Sequence, residues 1–423
     1  MKLDRRSLFA TLAGASLAAA APAVAQTPAP APAAPKPTWL DRLKGGFRDG
    51  RMPVAIDLNG GVSGAGWDWL LAEGAKASFF AFGEEHGLAQ VPVLVRELAT
   101  ALKPDRLVLE ISPPIAEDLD QAARGGMAGL TAYYRDQPPG PAFYTMAEEA
   151  RMLAAVRAGM PGKSQRIFGL DYEVTMDRRL IARLKIKAPA SAAKPLAALD
   201  AASQAAWTKF GTSKNFGDIF SFGGDPALVE AVIAAWPKPD RDSAEILDTL
   251  LQTLRTNRAY IEERYFESNA IRADFMKASF IRQWRAASPK PRMMFKFGAG
   301  HMVRGRSPTE VYDIGNLLAE AATLEGGGSF HLLVIPLNGG RQAAFNPATW
   351  TYEDVPVSTI EEMALEPLAE LALPQGSTLV DLRPLRRFMS GSVTAKADAR
   401  LARVVHGFDA VLLVRDSVAS KGL

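Results

Sequence analysis

Hydrophobic and polar positions alternate in blocks along the chain. Apolar, β-rich runs bounded by turn residues occur at "MPVAIDL" (52–58), "ASFFAFG" (77–83), "RLVLEIS" (106–112) and "RIFGLDY" (166–172). Later runs occur at "RMMFKFG" (292–298), "SFHLLVIPL" (329–337), "STLVDL" (377–382) and "DAVLLV" (409–414). Each predicts a strand. Helical patterns separate most of them: "VPVLVRELATAL" carries Pro92 where a first turn tolerates it and stops at Lys103-Pro104, and "AFYTMAEEARMLAAVRAG" ends on Gly159. Strands alternating with helices predict an α/β fold, a mainly parallel sheet flanked by helices.

One segment departs from the alternation. From Met176 to Ser288 no strand pattern occurs, and Asp240 to Ser288 contains neither Gly nor Pro. Asp242 followed by Glu245 fits a capping box, so one very long helix, or two with a bend, is expected here. The region about 176–289 reads as a long helical insertion or cap. Within it, "NFGDIFSFGGDP" (215–226) has the composition of a loop that could fold over a cleft or simply vary at the surface.

The chain begins with a charged start, "MKLDRR", an apolar run, and an A-x-A pattern at Ala23-Val24-Ala25. These read as a cleaved export signal over 1–25, with Arg5-Arg6 giving it a twin-arginine character and a periplasmic destination. The run is too short and Ala-rich for a stable membrane anchor. Residues 26–38, "QTPAPAPAAPKPT", form a Pro/Ala linker. A single α/β domain is expected over 39–423. With 48% hydrophobic and 22% charged residues and a net charge of +3 spread without a basic block, the chain can bury a large core and offers no nucleic-acid footprint. It has no cysteine, which removes disulfides, thiolate ligands and a cysteine nucleophile from consideration.

In open α/β sheets ligands bind beyond the carboxyl ends of the strands. There the chain carries a repeated pattern, F-x-F-G-x-x-H, at Phe80–His86 and again at Phe295–His301, which uses two of only four histidines. Other strand ends add Glu110 and Asp171. Two imidazoles and several carboxylates around one crevice can activate water, with one histidine as base, a carboxylate to orient it, and a second histidine as acid. The same set could instead ligate a divalent metal. Glu84 and Glu85 are adjacent, so on an extended backbone only one of them can face the crevice with His86. Taken alone, Glu110 or Asp171 is more often a solvated turn residue or helix cap than a functional group. His331, inside a strand, and His406, in the turn before one, read as structural. The repeated "LNGG" at 58–61 and 337–340 reads as turn chemistry.

Taken together, "GEEHG" (83–87), "LVLEIS" (107–112), "FGLDYE" (168–173), "IRADFM" (271–276) and "GAGHM" (298–302) resemble the superfamily that joins erythromycin esterase-like proteins, ChaN-type haem-binding uptake lipoproteins and TIKI/TraB proteins. The resemblance spans roughly residues 50–420. It implies an exported hydrolase cleaving a small-molecule ester or lactone, with Glu84, His86, Glu110 and His301 at the site. It selects Glu84 over Glu85, and it implies Arg272 as a helix-borne site residue, where a solvated pairing with Glu267 or Asp274 would be the ordinary reading. The single residue between Glu84 and His86 is the spacing of the ChaN and TIKI/TraB types, while "HG", "GLDY" and "IRADFM" resemble the esterase branch. The resemblance therefore also implies two alternatives. One is a metal-dependent hydrolase with His86, His301, Glu84 and Glu110 as ligands; the other is a haem- or iron-binding uptake protein without turnover.

Overall fold

The computed structural model describes residues 36–137 and 139–423; the expected export signal and most of the linker lie outside the described residues. Residues 38–423 form one compact unit. Its strands are β1 (Arg51–Asp57), β2 (Gly61–Ser63), β3 (Phe79–Glu84), β4 (Arg106–Leu109), β5 (Ile167–Gly169), β6 (Met293–Gly298), β7 (Ser329–Pro336), β8 (Arg341–Asn346), β9 (Thr351–Pro356), β10 (Ser377–Asp381) and β11 (Ala410–Val414). Nine of them make one sheet in the order β2-β1-β10-β11-β7-β3-β6-β4-β5. The block from β11 to β5 is parallel, and β10, β1 and β2 extend it antiparallel. The mainly parallel α/β sheet expected from the alternation is therefore what the chain forms.

The central strands read as unbroken apolar runs because both faces of the sheet are covered. Successive side chains of β3 and β6 go to opposite layers: Phe79, Ala81, Phe295 and Phe297 to one core, Phe80, Phe82 and Met294 to the other. In the first, Phe79, Phe280 and Phe295 meet edge to face with centroids 5.6 to 5.9 Å apart. Deleting a ring enclosed in this way costs about 3–5 kcal/mol, so the sheet is a stiff platform for whatever its strand ends carry.

Between Asp177 and Arg285 the chain is helical with no strand, and these helices enclose a third core around Leu180, Leu196, Val229 and Leu250. The Gly- and Pro-free stretch forms two helices, Arg241–Ile261 and Tyr265–Arg285, broken where Glu263 takes a left-handed φ of 59°. The expected cap at Asp242 is displaced. Asp240 is the N-cap, its carboxylate accepting from the Ser243 N–H at 3.0 Å, whereas Asp242 faces Arg183 and Lys187. The extended conformation of Asp240 lets its short side chain fold back over the first turn. His406 lies in the last turn of the helix Ala399–Gly407 rather than in a turn before β11.

Three strands escaped the sequence pattern. β2 is a three-residue hairpin partner, and β8 and β9 form a separate antiparallel hairpin with few buried positions, so neither has a hydrophobic stripe to announce it. That hairpin presses against the loop after β3. A Cβ on Gly87, where φ is +81°, would stand 2.2 Å from the carbonyl oxygen of Ala343, which only glycine permits.

Candidate functional site

Parallel neighbours end at the same edge, so the residues following β3, β6, β4 and β5 meet there. Pairing of Glu84 with Gly298 brings the two F-x-F-G-x-x-H segments side by side. Alternation along β3 sends Glu84 to the face of Phe82 and turns Glu85 away, toward Thr359. Glu84 Oε1 meets His86 Nδ1 at 2.9 Å, and His86 Nε2 faces Glu110 Oε2 at 3.5 Å. From the other segment, His301 Nε2 faces Glu110 Oε1 at 3.4 Å while its Nδ1 meets Asp313 Oδ2 at 2.8 Å. Gly298 donates its N–H to Glu110 Oε2 at 2.6 Å, and a Cβ there would come within 3.1 Å of His86 Nε2. The glycine of the second motif thus admits the imidazole and the carboxylate to the strand end.

Arg272 reaches in from the helix Tyr265–Arg285. It donates through Nε to Asp171 Oδ1 at 2.9 Å and through one terminal nitrogen to Glu110 Oε1 at 2.9 Å, and it lies 4.7 Å from the centre of the Tyr172 ring. It does not make the solvated helix pairing with Glu267 or Asp274; those residues pair with Arg264 and Lys277. All six sequence-expected residues, Glu84, His86, Glu110, Asp171, Arg272 and His301, are therefore in one connected network. His331 is elsewhere, buried, with Nδ1 2.7 Å from the Met302 carbonyl oxygen, and burial depresses its pKa to about 3.

Several members of the network carry no signature in spacing. Lys296, in the middle of apolar β6, places Nζ 2.7 Å from Glu84 Oε1 and 2.9 Å from Glu149 Oε1. A lone lysine inside "MMFKFG" was the available signal, since a central strand has no water to offer it. Asp313, which orients His301, caps the helix Ile314–Leu324 and looks like an ordinary N-cap in sequence. Phe143 stacks on His86 with centroids 4.1 Å apart and planes 9° from parallel, and does so at a left-handed φ of 64°. Such strain in a bulky residue persists only where surrounding contacts hold it, and it clusters at functional sites.

Burial works against charge on His86, yet the Glu110 and Glu84 carboxylates outweigh it and raise its pKa to about 10. For His301, burial and Arg272 oppose the charge while Glu110 and Asp313 prevail, giving about 9. Burial pushes Glu110 upward, but His301 and His86 hold it well below the usual carboxylate range. Of the two carboxylates on Lys296, Glu84 is the anion, held below its ordinary value against its burial by Lys296 and His86. Glu149, raised by burial to about 7, is the one that takes up a proton. At neutral pH both histidines of the substrate-free site are therefore cations between anions.

The histidines and acids considered as alternative metal ligands contact one another. Both His86 nitrogens face carboxylates, Lys296 contacts Glu84, and Gly298 and Arg272 contact Glu110. Among the described residues no three His, Asp or Glu side chains are grouped to hold a metal ion.

A cavity of about 760 Å³ opens above Glu110, Asp171 and Arg272. Its walls include Phe143, Phe216, Phe222, Phe345, Trp350 and Tyr352. Phe216 and Phe222 come from the 215–226 segment, which thus contributes to the wall of a cleft. Phe216 lies 6.0 Å from Phe345 of the β8–β9 hairpin, and Phe345 lies 5.1 Å from Trp350.

No family model and no curated protein matches the chain in sequence. Solved structures do match it in shape. A mutant of erythromycin esterase EreC in its open conformation aligns with a TM-score of 0.60 at 15% identity, over 88% of this chain and 99% of that one. The chain has the fold of erythromycin esterase EreC. A Bacillus cereus protein aligns at TM-score 0.59 and 13% identity, over 91% of this chain and 99% of its own. A succinoglycan biosynthesis protein aligns at 0.58 and 12%, over 91% and 99%. At these identities the likeness is one of fold, and the chemistry has to be argued from the site itself.

Proposed function

We propose that this protein is a hydrolase that activates water against the carbonyl of an ester or lactone in an apolar small molecule. One observation carries the reading. Two histidines, each oriented at Nδ1 by its own carboxylate, turn their Nε2 atoms toward the two oxygens of a single buried Glu110 beside an aromatic-walled cavity. That is the arrangement a base and an acid need on either side of one reacting carbonyl. In its neutral form His86 takes a proton from water as the oxygen adds to the carbonyl carbon. His301 gives its Nε2 proton to the departing alkoxide, so the acyl–oxygen bond breaks to acid and alcohol. Glu84 and Asp313 hold the ring orientations, and Glu110, fixed by Gly298 and Arg272, balances whichever imidazolium is present. Cavity size and lining favour a drug-sized substrate with a largely apolar body.

The test is hydrolysis of bulky aryl and alkyl esters and lactones by wild type, His86→Asn and His301→Asn. Each variant is expected to lose about 100- to 10,000-fold in kcat/KM while unfolding as cooperatively as wild type. A folded His86→Asn protein with undiminished turnover would refute the assignment.

A further inference from the structure

Lys296 contacts Glu84, the carboxylate that meets His86 Nδ1. It comes from the centre of β6, in register with Phe82 of β3 and Leu109 of β4, and its side chain is 1% exposed. The ammonium is shared between Glu84 Oε1 at 2.7 Å and Glu149 Oε1 at 2.9 Å, and lies 4.9 Å from the centre of the Tyr144 ring. Glu84 Oε1 is thus gripped from two sides, by Lys296 within and by His86 Nδ1 without. Neither Glu84 Oε2 nor Glu149 Oε2 has a hydrogen-bond partner among the described residues, so these contacts set how the carboxylates lie. A strand core gains little or nothing in stability from such an ion cluster compared with well-packed apolar side chains. What the cluster does supply is a fixed carboxylate against the histidine and a compensating charge on that carboxylate.

We propose that Lys296 and Glu149 are positioning residues of the hydrolytic reaction: Lys296 anchors Glu84 so that it aims and charges His86, and Glu149 anchors Lys296 and moderates its charge. This rests on the hydrolase reading above. The groups that face the cluster are Glu84 from β3, Glu149 from the helix Ala147–Gly159, Tyr144 from the segment before that helix, Tyr134 from the helix Gly126–Asp136 and Tyr352 from β9 on the Glu149 side, and, beyond Glu84, His86 and Glu110. Removing the positive charge of Lys296 makes the Glu84–His86 pair hold its proton more tightly. Removing the negative charge of Glu149 makes the pair release it more easily.

The test uses Lys296→Met, Glu149→Gln and the double variant. It has two readouts: NMR titration of the His86 ring in the substrate-free protein, and the pH profile of kcat/KM for an ester the wild type hydrolyses. Lys296→Met is expected to move both the titration and the rising limb to higher pH by about one unit or more, with a fall in kcat at pH 7 of about tenfold per unit and little change in KM. Glu149→Gln is expected to move them to lower pH, and the double variant to return toward wild type. A merely structural role would lower activity in both single variants without opposite displacements, and that result would overturn the proposal. If Lys296→Met does not fold, Glu149→Gln and the double variant, which restores the charge balance, still decide it. The NMR titration needs no substrate, so a wild-type protein that cleaves no ester would sink the hydrolase reading separately.

Discussion

Replacing Arg272 by Met removes the cation that joins the acids after β4 and β5. Its guanidinium donates to both oxygens of Asp171 and to Glu110 Oε1, and the two carboxylate side chains are only 4% and 5% exposed. Taking one partner out of a buried ion pair costs about 3–5 kcal/mol, because the remaining charge stays in a poor solvent. The Arg272 side chain is 23% exposed, so water can partly replace it and the lower end, about 3 kcal/mol, is expected. Arg272→Lys keeps the charge but not the planar fork, and should lose about 1–2 kcal/mol. Urea unfolding of the three proteins at pH 7 measures this directly.

The pH dependence supplies the sharper check. Glu110 is depressed below its unfolded value, so its stabilisation is present above about pH 4.5 and disappears as the pH falls through its folded value. In Arg272→Met, Glu110 loses one of the cations beside it and takes up its proton more readily as the pH is lowered, so the deficit against wild type should shrink between pH 7 and pH 4. Hydrolysis should fall by about 100-fold or more, since Glu110 would no longer stand between the two histidines. A deficit below about 1 kcal/mol at pH 7, the value of a surface pair, would refute the account. So would a deficit that is the same at both pH values.

Hydrolysis by wild type should be bell-shaped and alkaline: it rises as His86 loses its proton toward pH 10, falls as His301 loses its own above 9, and peaks between. Because both folded values are raised, the stability these two imidazoliums contribute is complete below about pH 6.5 and lost as the pH rises through 9 to 10; initial rates are therefore the correct measurement, and a flat profile from pH 6 to 10 would contradict the roles assigned. Trp350→Ala, which opens the aromatic wall beside Phe345, should raise KM for a bulky apolar ester about tenfold or more with kcat little changed, whereas an unchanged KM would place the substrate elsewhere.

How much of this was legible in the chain depends on how local each feature is. The strands of the parallel block are all foreshadowed by apolar runs, because a strand covered on both faces must be apolar throughout. Those runs overshoot at "LVLEIS" and "FGLDY": β4 ends at Leu109 and β5 at Gly169, so Glu110 and Asp171 fall just past the strand ends, where side chains can converge. The β8–β9 hairpin left no trace because it buries little. The Asp240 cap was misplaced by two residues because several acids there could serve, and only the chain's entry angle selects one.

The sequence by itself determined most of the element types, the helical insertion, and the strand-end residues that meet at the candidate site, since hydrophobic period and turn composition act over a few neighbours. The tertiary structure alone decided that β3, β6 and β4 lie side by side, which turns two distant Phe-rich motifs into one site. It also decided that Glu149 meets Lys296, that Asp313 turns His301, and that Arg272 faces Asp171 rather than its own helix. These are contacts across large sequence separations. Their energies depend on burial and distance, which no local pattern encodes.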